Sequence, residues 1–136
     1  MKIFIVCSKK FYGKIPDIQK TLEENCHVIT LPNFFDDPGA EAKVRAQGNE
    51  EHSKWKAELL NHSADVIDNN DAVLVLNFDK DKMKNYIGGA TFLEMYDAFR
   101  LGKKIYMYND APEGILHDEI IGFDPIIING DLTKVV

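Results

Sequence analysis

Asp71-Ala72-Val73-Leu74-Val75-Leu76-Asn77 is the stretch on which the fold turns. A short, unbroken apolar run between polar residues is the pattern of a strand covered on both faces, as in a parallel sheet. Downstream, the polar segment Phe78 to Tyr86 leads to Gly88-Gly89, which opens a helix running to about Leu101 and ended by Gly102. Lys104-Ile105-Tyr106-Met107-Tyr108 reads as another strand, Glu113 to Gly122 as a short helical or irregular segment, and Pro125-Ile126-Ile127-Ile128 as a last short strand. Upstream, Trp55, Leu59, Ser63, Val66 and Ile67 form one stripe on a helix from about Glu50 to Asn69. Before that lie a loop at Pro32 to Gly39, a strand at His27 to Leu31, a helix at Ile15 to Glu24 and a first strand at Lys2 to Cys7.

Strand and helix therefore alternate, and right-handed crossovers then give an α/β fold: a five-stranded parallel sheet with helices on both faces. A flavodoxin-like order, 2-1-3-4-5, suits five strands, and ligands of such sheets bind beyond the carboxyl ends of the strands. No repeat, low-complexity tract or linker interrupts residues 1–136, which are expected to form one domain.

The chain is 136 residues long, 45% hydrophobic and 28% charged, enough for one ordinary core. Its net charge of -6 argues against sequence-independent binding to nucleic acid, where Lys and Arg must neutralise phosphates. Lys9, Lys10 and Lys14 after the first strand can still receive one phosphate. No apolar run is long enough to span a membrane and Met1-Lys2-Ile3 leads straight into a strand, so a cytoplasmic protein with no membrane partner is expected. Cys7 and Cys26 border strands and read as small core residues. His27, His52, His62 and His117 show no metal-ligand spacing, and neither a metal nor a cofactor is expected.

Glu94 breaks the pattern. Ala90, Glu94, Ala98 and Leu101 share a helix face that small alanines suggest lies close to the sheet. A carboxylate there is paired, raised in pKa or retained for chemistry, unless it merely hydrogen-bonds the neighbouring loop. Its place in the first turns of the helix favours the ionised form, which suits a nucleophile. Gly88-Gly89 permits a tight turn or lets a ligand approach the free N–H groups, but forms neither GxGxxG nor a P-loop.

Asp71 to Asn77, followed by Gly88-Gly89-Ala90-Thr91-Phe92-Leu93-Glu94-Met95, resembles the nucleoside 2-deoxyribosyltransferase-like family. The likeness follows the order of elements over most of the chain, and its specific signal lies within residues 71–109. It implies a compact five-stranded α/β fold and a homo-oligomer. It also implies that Glu94 attacks C1′ of a nucleoside or nucleotide, releases the base, and passes the sugar to water or a second base through a glycosyl-enzyme. The chain departs from the family in having Gly88-Gly89-Ala90 where an aspartate usually stands ahead of Thr91, and in ending the strand with Asn77 rather than Asp.

Asn77 and Asp79 are candidates for binding sugar hydroxyls or the base edge. Ser8 with the nearby lysines suits a 5′-phosphate, and Phe11 or Tyr12 suits stacking on a base, although an exposed loop whose aromatics pack on its own domain is the simpler explanation. Phe92, Met95 and Phe99 on the far side of the Glu94 helix need a second packing surface, either another helix of the chain or a symmetric dimer. A non-catalytic nucleotide-binding or sensing module of the same fold is the alternative to an N-glycosidase or deoxyribosyltransferase.

Overall fold

The structure is a computed structural model describing residues 1–136. Five parallel strands, β1 (Lys2–Val6), β2 (Val28–Thr30), β3 (Ala72–Val75), β4 (Lys104–Met107) and β5 (Ile126–Ile127), form one sheet in the order β2-β1-β3-β4-β5. Five helices accompany them: α1 (Ile15–Glu24), α2 (Ala40–Ala46), α3 (Asn49–Asp68), α4 (Gly89–Arg100) and α5 (His117–Gly122). The all-parallel pairing is that expected from the alternation of strand and helix patterns, and the order is the flavodoxin-like one that suits five strands.

Because side chains alternate along a strand, the central strands feed two cores. Ile3, Ile5, Leu74 and Tyr106 point to one face and meet Ile15, Ile18 and Leu22 of α1. Phe4, Val6, Val73, Val75 and Met107 point to the other and meet Ile67 of α3, Met95 of α4 and Ile120 of α5. Fully burying such an aliphatic or aromatic side chain stabilises by about 1.5–3 kcal/mol, so β1 and β3, buried at nearly every position, anchor the molecule. With β1 and β3 paired from Ile3↔Ala72 to Val6↔Val75, the segments after both strands emerge side by side at one sheet edge.

Three expectations need correction. Helix α2, where no element was expected, buries only Ala40 and so carries no apolar stripe to announce it. On α4 the buried positions are Thr91, Met95 and Ala98, while Ala90 is exposed. Met95, not Glu94, therefore faces the sheet. Phe92 and Phe99 meet Phe123 at centroid distances of 5.5 Å each, so their second packing surface comes partly from the same chain, one of the two sources expected. Cys26 is exposed rather than in the core.

Cys26 instead closes α1. The amide of His27 donates to the Leu22 carbonyl and that of Cys26 to the Glu23 carbonyl, both at 3.0 Å, which is a Schellman ending. The same bond pair ends α4, where Gly102 stands at φ +67°. Cys26 holds φ 67° with a side chain attached, a conformation that penalises L residues. Cys26→Gly is expected to stabilise the protein by about 1 kcal/mol in denaturant melts.

Candidate functional site

A cavity of about 310 Å³ opens beyond the carboxyl ends of the strands, at the low end of the size range of small-molecule pockets. Cys7 and Ser8, just past β1, form one wall, and Asn33 and Phe34, just past β2, form another. Trp55, Lys56 and Ser63 of α3 face the first turns of α4, where Gly88, Gly89, Thr91 and Glu94 line the opposite side. Each wall thus follows from the parallel topology, which delivers every strand exit and the start of α4 to the same edge.

Glu94 is the one carboxylate held deep in this cavity, open to the cavity itself and otherwise surrounded by protein. Burial raises its pKa to about 7 from an ordinary 4.5; the Ser63 hydroxyl and Lys56 pull the other way, and Asp97 adds to the rise. The expectation that the helix N-terminus would favour the ionised form is therefore overridden. Glu94 is the sixth residue of α4, beyond the first turn where the dipole acts, so desolvation dominates. Near neutral pH the group divides between its two forms.

Its neighbours stay neutral. Burial, with the Glu94 charge adding, lifts the Cys7 thiol to about 12. Burial, then the charges of Cys7 and Glu94, lifts the Tyr12 phenol to about 12. Tyr12 donates to the Asn33 carbonyl at 3.3 Å and ties the loop after β2 to the cavity wall.

At the mouth, Glu41 of α2 accepts from His52 at 2.9 Å and from Lys56 at 3.2 Å, and these partners lower its pKa despite some burial. The Trp55 ring lies 5.4 Å from the Phe34 ring and 6.2 Å from the His52 ring, centroid to centroid. Through Glu41 and Trp55, α2 and the loop after β2 are fastened to α3 and close that side of the cavity. No group of three or more His, Cys, Asp or Glu side chains is arranged to hold a metal ion.

No family model, curated protein or solved structure matches this chain. No helix is long and apolar enough to cross a membrane.

Of the residues singled out in the sequence, Glu94, Ser8, Tyr12, Gly88 and Gly89 line the cavity. Ser8 also caps the 3-10 turn Lys9–Lys14, its hydroxyl accepting from the Lys10 amide at 3.4 Å. A Cβ at Gly88 would come within 3.1 Å of the Tyr86 hydroxyl, so a larger residue there would have to push that ring aside. Asn77, Asp79 and Phe11 do not reach the cavity. The Asn77 side chain is fully buried and spent on the backbone of Asn109 and Asp110. Asp79 accepts from the Asn85 amide at 3.0 Å, closing its own exposed turn. Phe11 is buried edge-on to Phe78 at 5.5 Å.

Asn33, Phe34, Trp55, Lys56 and Ser63 were not among the sequence candidates, although all line the cavity. Two of them carried a signal. Ser63 is a polar residue inside the apolar stripe of α3, and Asn33 follows a parallel strand at its carboxyl end.

Proposed function

We propose that this protein cleaves or transfers the N-glycosidic bond of a nucleoside or nucleotide, with Glu94 as nucleophile. The supporting observation is a single desolvated carboxylate facing a small cavity whose other walls carry Trp55, Phe34 and Tyr12. Aromatic faces suit a heterocyclic base, and a carboxylate beside them suits the anomeric carbon. In the first step a Glu94 oxygen bonds to C1′ as the C1′–N bond breaks, its electron pair leaves with the base, and the base takes a proton from solvent. Water or a second base then attacks C1′ and frees the carboxylate; with water as acceptor, one proton is released.

Exposed Leu93, Tyr96 and Phe99 on α4 support a homo-oligomer as part of the same proposal.

Only the ionised carboxylate attacks, so kcat/KM is expected to rise about tenfold per pH unit below pH 7 and to level off above it. The experiment that tests the reading is chromatography of wild type and Glu94→Ala after incubation with ribo- and deoxyribonucleosides and their monophosphates, with and without a second free base. Base release or exchange by wild type alone supports it. No turnover on the whole panel, with a nucleotide bound in a thermal-shift assay, replaces it with the sensing module.

A further inference from the structure

We propose that Asn33 and Ser63 form a positioning relay that holds the Glu94 carboxylate in place for attack, an inference that rests on Glu94 being the nucleophile. Ser63 is only 4% exposed, although it sits in the apolar stripe of α3. A buried helical serine commonly bonds the carbonyl one turn back; Ser63 instead turns outward, and its Oγ accepts from Asn33 Nδ2 at 2.7 Å. A hydroxyl carries one proton, so the amide that occupies its oxygen leaves that proton for another acceptor. Glu94 lines the same cavity from α4, and the Ser63 hydroxyl acts on it to favour its charge.

Asn33 is itself held. Its own carbonyl accepts from Tyr12, so the relay joins the turn after β1, the loop after β2, α3 and α4 in one polar chain. Its first step runs from the amide to the hydroxyl, which leaves the hydroxyl proton for the carboxylate. Such a chain favours the ionised carboxylate and restricts its rotation. The other groups acting on Glu94 are Lys56 from α3, which favours its charge, and Asp97 from α4, which opposes it. Cys7 and Tyr12 stay protonated through the working range, and Asp37 and Glu41 line the same cavity from its mouth.

The test compares Ser63→Ala, Ser63→Thr and Asn33→Leu with wild type by carbon NMR titration of the Glu94 carboxylate, and by the pH profile of kcat/KM on the substrate found above. Loss of a hydrogen bond to a charged group predicts that Ser63→Ala titrates at higher pH, with kcat/KM down about tenfold at pH 6 and restored by pH 9. Ser63→Thr, which keeps the hydroxyl, should follow wild type, and Asn33→Leu should move the midpoint in the same direction as Ser63→Ala. An unchanged midpoint in a folded Ser63→Ala protein, or an equal loss at pH 6 and pH 9, would overturn the relay. The NMR titration needs no substrate. Absence of turnover in wild type therefore sinks the glycosyl chemistry, while the carboxylate midpoints still decide whether the relay exists.

Discussion

Glu94→Gln is expected to lose turnover by about 10³-fold or more while gaining thermal stability at pH 8. Glutamine keeps the shape of the side chain and its hydrogen bonding but cannot attack C1′. The stability gain follows from linkage. In the folded protein Glu94 titrates at about 7 against an ordinary 4.5, so the native state holds the proton more tightly than the unfolded chain. That contribution is fully present below pH 4.5 and is lost as pH rises through 7. Above pH 7 the ionised group is left in a desolvated site, at a cost of at most about 3 kcal/mol. The neutral amide escapes this cost, so its melting temperature should be flat between pH 4.5 and 8 where that of wild type declines. At pH 8 the variant should melt higher by several degrees, at roughly 3 °C or more per kcal/mol. Ligand affinity should remain near wild type. Lower stability of Glu94→Gln at pH 8 would show that the carboxylate serves the fold instead.

Asn77→Ala is expected to be the most damaging single change near the strand ends. Asn77 Nδ2 donates to the carbonyls of Asn109 at 3.0 Å and Asp110 at 2.9 Å, and its Oδ1 accepts from the Asn109 amide at 2.9 Å. The side chain is fully buried, so alanine leaves a donor and two acceptors without partners. At about 1–3 kcal/mol for each unsatisfied group, partly relieved by entering water, the loss should be about 3–5 kcal/mol in urea melts. Asn77→Asp tests the geometry more sharply. A carboxylate would face two carbonyl oxygens with no proton to offer, so the variant should be unstable at neutral pH and recover as pH falls and the acid gains a donor. A change under about 1 kcal/mol in Asn77→Ala would mean that the β3 and β4 exits are held together by other contacts.

The sheet was legible because β1 and β3 are buried on both faces and therefore read as unbroken apolar runs. Strand β2 is shorter than the run from His27 to Leu31 suggested, at three residues, yet its position in the order is unchanged. Helix α2 was not legible, since seven residues with one buried alanine leave no period to detect. On α4, Ala90, Glu94 and Ala98 suggested the wrong face because alanine fits both a close contact and an open surface; Met95 decides it by filling the core. Glu94 stood out by its chemistry alone. The residues that share its cavity did not, because Asn33, Trp55 and Ser63 come to line it only after separate crossovers bring the exit of β2, α3 and α4 to one edge. Asn77 shows the converse: a strand-end amide reads as a ligand donor, yet two neighbouring carbonyls and an amide consume it.

Covalent chemistry at Glu94 is tested most directly by peptide mass spectrometry of the wild-type protein, acid-quenched during turnover at pH 8 on the substrate identified by chromatography. A glutamate nucleophile requires a peptide containing Glu94 that is heavier by the mass of the bound sugar, absent without substrate and absent from Glu94→Gln. Base release that proceeds while this peptide stays unmodified at every quench time, with Glu94→Gln turning over as fast as wild type, would rule that nucleophile out.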